Sequence, residues 1–103
     1  RFRAQFCADL PVAQAARMAV TQRPVTQEAL GEPSGERPLW RERPSWFVFG
    51  DADRNIPVAV HRLMAERAGA KASVELPAAS HALTVSRPDE VAQVITSAIA
   101  AVS

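Results

Sequence analysis

One short apolar run in the middle of the chain restricts the possible folds more than any other feature. Residues 45–49 read Ser-Trp-Phe-Val-Phe, and the run stops at Gly50. Continuous apolar and β-favouring residues are typical of a strand that is covered on both faces, and such strands belong mainly to parallel sheets. The sequence therefore predicts a parallel central strand over residues 45–49.

A helix and a second strand follow this run. Pro57 suits the first turn of a helix, and Gly69 stands where a left-handed residue commonly ends one. Three apolar residues of this helix are expected along one stripe, namely Leu63, Met64 and Ala68. Residues 72–76 then form the next strand. The order of strand, helix and strand predicts a parallel β-α-β unit with a right-handed crossover.

The chain closes with a predicted amphipathic helix. Ser86-Arg87-Pro88-Asp89 has the spacing of a capping box, which opens a helix. Five apolar residues then fall on one face of the helix: Val91, Val94, Ile95, Ala98 and Val102. Two parallel strands leave both edges of the sheet unpaired, so we expect further strands from elsewhere and self-association through the open edges.

The first 43 residues differ from the remainder because prolines and glycines interrupt them. We expect Asp9 to cap a helix over residues 11–20. In the Pro- and Gly-rich loop that follows, Trp40 is expected to anchor the chain to whatever it crosses. The pattern divides the chain into segments 1–43 and 44–103.

Composition excludes several classes of partner. Lys and Arg total 12 against 11 Asp and Glu, so the net charge of +1 gives no general field for attracting nucleic acid or anionic lipid. Cys7 is the single cysteine and is interpreted as a buried apolar residue.

No apolar run approaches the roughly 20 residues that a membrane span needs, so we expect a cytoplasmic protein. Because the chain opens with Arg1 and not Met, we expect a piece of a longer protein.

Titratable residues follow both predicted strands. Asp51 and Asp53 come after the first strand, and His81 follows the second. Ligands of an open parallel sheet gather outside the carboxyl ends of its strands, so these side chains are expected on one rim. A histidine that acts as a base needs a carboxylate to fix its tautomer and to stabilise the imidazolium. His61 lies in a predicted surface helix and is assigned no chemistry.

Two alternatives remain open for the carboxylates at this rim. Asp51 competes with Asp53 as the partner of the histidine, although hydrogen bonding within a turn is the more ordinary role of such a residue. Asp51 and Asp53 together could instead bind a cation, but a metal usually needs a further ligand from another strand.

The rim residues resemble a known family. Residues 46–57, the Ser80-His81-Ala82 turn and the final helix are similar to the C-terminal portion of α/β-hydrolases, and most of all to the branch of methylesterases and hydroxynitrile lyases. In that family a strand ends in a Gly-x-x-Asp turn whose Asp is the acid of a catalytic triad. The resemblance implies that Asp53 is this acid and that His81, 28 residues later, is the triad histidine.

The same resemblance implies an α/β architecture and a missing part. Residues 1–43 would be the end of a helical cap with its linker, residues 44–103 would be the C-terminal β-α-β-α part of the hydrolase core, and no cofactor is implied. The family nucleophile is a serine in a Gly-x-Ser-x-Gly elbow, and no such motif occurs in this chain. We therefore expect the nucleophile on a missing N-terminal part and an inactive chain in isolation. The complete protein would act on a small ester or another carbonyl substrate; the alternative is a non-catalytic, hydrolase-like module for binding or interaction.

Overall fold

Two parallel strands joined by a helix form the centre of the computed structural model, which describes residues 1–103. The elements in chain order are α1 (Phe2–Phe6), α2 (Val12–Thr21), α3 (Gln27–Gly31), a 3-10 turn (Leu39–Arg41), β1 (Trp46–Gly50), α4 (Val58–Arg67), β2 (Ala72–Leu76), α5 (Leu83–Ser86) and α6 (Pro88–Val102). None of these helices is both long enough and apolar enough to cross a membrane.

The two strands end at the same level of the sheet. β1 pairs with β2 in parallel, in a register that runs from Trp46 opposite Ala72 to Gly50 opposite Leu76. The predicted β-α-β unit is thus confirmed, with β1 shifted by one residue toward Gly50. Because Gly50 and Leu76 are neighbours, the loops that follow them start side by side.

The sheet is covered less completely than the apolar run predicts. Phe49 and Gly50 are buried, whereas Trp46, Phe47 and Val48 are only half-buried. Helices α4 and α6 both pack against β1, but no third strand extends the sheet on either side. The prediction of a strand covered on both faces therefore holds only at the carboxyl end of β1.

Helix α4 begins and ends close to where the sequence predicts. Pro57 occupies its N-cap position, and Gly69, two residues after its last residue, has a φ of +59° that favours glycine. Trp40 contacts this helix: the guanidinium carbon of Arg67 lies 4.5 Å from the centre of the Trp40 ring, a cation–π contact that anchors the preceding loop.

The predicted stripe of α4 is wrong for Leu63 and Met64, and only Ala68 of its three residues is half-buried. Leu63 is 61% exposed, and Met64 is exposed as well. The helix instead turns His61, Ala65 and Ala68 inward, which are spaced by four and three residues and so share one face. Small residues on this face let the helix approach the sheet closely, and the histidine takes the position nearest to the rim.

The start of α6 also differs from the prediction. Arg87 occupies the N-cap position without a side-chain hydrogen bond, and Pro88 is the first helical residue. Ser86 ends α5 and is not the N-cap residue of α6, so the predicted capping box is not formed. On the predicted apolar face, Val91, Val94 and Ala98 are half-buried, whereas Ile95 and Val102 are exposed.

Asp9 does not cap α2, contrary to the prediction. Pro11 holds the N-cap position without a side-chain hydrogen bond. The Oδ2 atom of Asp9 instead accepts a hydrogen bond from the backbone N–H of Ser80, at 3.1 Å. The Asp9 carboxylate thus binds a loop far along the chain, and the N-terminus of α2 has no side-chain cap.

Only 13 of the 103 residues are buried, and seven of them form two small apolar clusters. One cluster comprises Cys7, Leu10, Ala15 and Ala82, and the other comprises Leu76, Ala79 and Leu83. Residues 79–83 contribute to both clusters, so the turn that carries His81 is packed from two sides. The predicted burial of Cys7 is confirmed.

Candidate active site

Three hydrogen bonds join the loop after β1 to the last residue of β2 and to the loop that follows β2. Asp51 N–H donates to Leu76 O and Ala52 N–H donates to Ala79 O, each at 3.1 Å. In the opposite direction, Ala78 N–H donates to Oδ1 of Asp51 at 2.6 Å. Ala78 has a φ of +56°, an uncommon conformation for a residue with a side chain, and the Asp51 carboxylate holds this turn in place. The two loops therefore form a single rigid rim.

Gly50 allows the loops to approach so closely. A Cβ atom at this position would lie 2.0 Å from the carbonyl oxygen of Ala79 and 2.5 Å from its carbonyl carbon. No side chain can occupy that space, since the obstructing atoms belong to the backbone. The glycine that ends the apolar run is thus required by the turn before His81, two residues after Ala79.

Asp53 lies in the rim with its side chain only 1% exposed. Its Oδ1 atom accepts hydrogen bonds from the backbone N–H groups of Asn55 at 2.8 Å and Ile56 at 3.0 Å. These two amides belong to the turn that leads into α4, a common arrangement for Asp at a turn. They fix one carboxylate oxygen and leave Oδ2 directed toward the interior of the rim.

His81 lies against this second oxygen. The distance between its Nδ1 atom and Asp53 Oδ2 is 2.7 Å, and its side chain is 30% exposed. The Phe6 ring packs against the imidazole, with 4.8 Å between ring centres and 59° between the planes. The structure thus brings together the two residues that the sequence places at one rim, one buried and one partly open to solvent.

The hydrogen bonds to Asp53 determine its charge. Burial of the carboxyl group acts to raise its pKa, but hydrogen bonds from Ile56, His61, His81 and Asn55 outweigh burial and lower the pKa of Asp53 to about 2. The group is therefore ionised at neutral pH and can only accept hydrogen bonds. It follows that Nδ1 of His81 carries a proton, and that Nε2 of the neutral ring has a free lone pair.

His61 is a third member of the site, which the sequence interpretation missed. Its Nε2 atom lies 3.0 Å from Asp53 Oδ2, the same oxygen that His81 contacts. The His61 ring stacks on Phe49, with 5.0 Å between centres and 9° between planes, and its side chain is only 15% exposed. Its position eight residues after Asp53, on the stripe of Ala65, is the sequence signal that could have identified it.

The N-terminal segment accepts two hydrogen bonds from the turn that carries His81. Ser80 N–H donates to Asp9, and Ala82 N–H donates to the carbonyl oxygen of Phe6 at 3.1 Å. The Ser80 hydroxyl accepts a further bond from Ala82 N–H at 3.2 Å and is buried. α1 was absent from the sequence prediction, so this support for His81 was missed as well.

The alternatives for Asp51 find no support in the geometry. Its carboxylate binds the Ala78 amide, whereas both imidazoles of the rim contact Asp53. No group of three or more His, Cys, Asp or Glu side chains is arranged to hold a metal ion.

The site therefore contains an imidazole oriented by an ionised carboxylate. No hydroxyl group of the chain hydrogen-bonds to His81, whose side-chain partner is Asp53. The free lone pair on Nε2 is able to accept a proton from a neighbouring group, and such a group would have to lie outside residues 1–103.

Comparison with known proteins gives one match. A family model described as "Alpha/beta hydrolase family" matches residues 1–94. No curated protein and no solved structure matches the chain.

Proposed function

The chain belongs to the alpha/beta hydrolase family, and from that premise we propose that Asp53 and His81 are the acid and the base of a catalytic triad in a carboxylic ester hydrolase. The observation that carries the proposal is the 2.7 Å hydrogen bond between an ionised, buried carboxylate and a partly exposed imidazole, at the ends of two adjacent parallel strands. Within the family we propose the branch of methylesterases and hydroxynitrile lyases, which the residues at the rim resemble.

His81 would move one proton in each half of the reaction. Its Nε2 atom takes the proton of the serine hydroxyl as the serine oxygen bonds to the ester carbonyl carbon, and returns it to the leaving alcohol when the ester C–O bond breaks. Water then repeats the sequence on the acyl-enzyme and releases the acid. Asp53 accepts the hydrogen bond of the Nδ1–H group throughout and stabilises the imidazolium that forms in each step.

The serine would come from a part of the protein outside residues 1–103. Two features support this view: no hydroxyl of the chain binds His81, and the sheet has two open edges. Further strands beside β1 or β2 would cover half-buried residues such as Trp46 and Phe47. The chain in isolation would then be inactive, with an acid and a base but nothing to attack the substrate.

A non-catalytic module is the second candidate, and the missing nucleophile favours it as well. Large apolar side chains such as Leu39, Leu63 and Ile99 are exposed, and apolar surface of this kind can serve an interaction with a partner. In that case the Asp53 and His81 pair would be retained for its structural hydrogen bonds alone.

Turnover and covalent labelling of the protein expressed from its complete reading frame separate these candidates. We expect hydrolysis of p-nitrophenyl butyrate, together with labelling by a fluorophosphonate at a serine outside residues 1–103. His81→Ala should lower the rate by at least about a thousandfold and abolish labelling. Asp89→Asn, which removes a charge from the exposed first turn of α6, is the control and should leave both unchanged. Near-normal turnover in His81→Ala, or a folded complete protein that neither reacts nor hydrolyses the ester, would contradict the proposal.

A further inference from the structure

His61 shares an oxygen atom with His81, and we propose that it is a positioning residue for the His81–Asp53 pair. Its Nε2–H group donates to Asp53 Oδ2 and thereby fixes this oxygen in front of His81 Nδ1. The positioning role rests on these contacts, with the ionised state of Asp53 as support. Any consequence for catalysis rests on the proposed function above.

The hydrogen bonds of Asp53 show why a second donor is needed. Oδ1 is held by two backbone amides of its own turn, those of Asn55 and Ile56. Oδ2 has two side-chain partners, His81 and His61. Without His61, the only direct hydrogen-bond partner of Oδ2 would be His81, the imidazole that Oδ2 orients. His61 thus gives Oδ2 a second hydrogen bond that does not depend on the orientation of His81.

His61 is itself rigidly placed. Its ring stacks almost parallel on Phe49, a residue of β1 that is 2% exposed, and it projects from the inward stripe of α4. A chain of contacts therefore leads from the strand through His61 to the loop carboxylate and on to His81. The helix of the β-α-β unit takes part in the site through this one side chain.

The ionised state of Asp53 fixes the proton on His61. A carboxylate that only accepts hydrogen bonds requires N–H groups on both rings, so neutral His61 carries its proton on Nε2. The opposite tautomer would direct a lone pair at the carboxylate oxygen, which is repulsive. His61 therefore acts as a hydrogen-bond donor, and its function is distinct from the base function of His81.

Two substitutions separate the donor from the aromatic ring. His61→Phe keeps a ring that can stack on Phe49 but has no N–H group. His61→Gln removes the ring but can place its amide N–H near the position of the histidine Nε2. A role in packing alone predicts that the glutamine variant is the more disturbed, whereas a positioning role predicts the reverse.

The test is the tautomer of His81, measured by ¹⁵N NMR on the full 103-residue chain at a pH well above the ordinary histidine range. In the unsubstituted chain we expect the Nδ1–H form of His81 and the Nε2–H form of His61. In His61→Phe the ratio of the Nδ1–H to the Nε2–H form of His81 should fall about tenfold, the effect of losing one hydrogen bond to a charged group. In His61→Gln it should stay within about twofold of the starting value.

Three results would overturn the proposal. The first is an unchanged His81 tautomer in a His61→Phe chain whose backbone amide spectrum shows the native fold. The second is an equal fall in the phenylalanine and glutamine variants. The third is an Nδ1–H tautomer of His61 in the unsubstituted chain, a result that needs no variant to fold. Because the measurement requires no turnover, an inert complete protein would defeat the proposed hydrolase function without touching this inference.

Discussion

The α-carbon of Gly50 and the carbonyl group of Ala79 approach so closely that a Cβ atom on Gly50 would lie 2.0 Å from the Ala79 oxygen. This contact brings the end of β1 directly against the turn that carries His81. It explains why this turn begins with glycine: the two backbones approach too closely for a side chain, although Gly50 does not have a positive φ.

Gly50→Ala should therefore destabilise the protein and displace the His81 turn. Forcing a methyl group into filled space costs about 2–3 kcal/mol, and for a domain of this size that lowers Tm by on the order of 10 °C. Gly31→Ala is the matched control, since a Cβ there meets nothing within 4 Å. Thermal unfolding followed by circular dichroism measures both, and equal melting of the two variants would show that the Ala79 contact is not constraining.

Asp53 should make the stability of the chain fall at acid pH. Its pKa of about 2 lies below the ordinary value of 3.8, so the ionised group stabilises the folded state. This contribution, about 2 kcal/mol, is fully present above about pH 4 and is lost as the pH falls through about 2. Asp53→Asn should therefore lose stability relative to the unsubstituted chain at pH 7, and the difference between them should shrink in acid.

Urea unfolding across this pH range measures that difference. Asp51→Asn is the control from the same loop, because the amide oxygen of Asn can still accept the Ala78 N–H and Asp53 remains in place. A difference between Asp53→Asn and the unsubstituted chain that stays constant down to about pH 2 would contradict the assigned pKa.

Asp9 should stabilise the His81 turn through the Ser80 amide. Asp9→Ala leaves that amide without its acceptor and should cost about 1–2 kcal/mol in the free energy of unfolding. Asp9→Asn retains an acceptor oxygen and should recover most of the loss. Hydrogen exchange at the Ser80 amide provides the local measurement, and equally slow exchange in all three chains would mean that the 3.1 Å contact contributes nothing.

The sequence predicted the local features of this structure and missed those that depend on distant contacts. The β-α-β unit follows from apolar runs and their breakers, and the neighbouring positions of Asp53 and His81 follow from strands that run in parallel. The orientation of α4 was wrong because Leu63 and Met64 are the more apolar residues, yet the small Ala65 faces the sheet. His61 was missed for the same reason.

The role of the first segment could not be read from its pattern either. Asp9 has the ordinary features of a helix cap, and only the fold reveals that its acceptor oxygen meets Ser80, 71 residues away. The division at residue 43, and the description of the first part as the end of a cap, stay predictions. Phe6 and Asp9 nevertheless contact the turn that carries His81.

That 71-residue link between Asp9 and Ser80 also has a kinetic consequence. Closing a long loop costs more entropy than closing a short one, and contacts remote in sequence slow folding. β1 and β2 are joined by one helix and can pair while the first ten residues are still undocked. His81 is supported by Phe6 and Asp9 only once that segment has docked, so we expect the candidate site to form after the sheet.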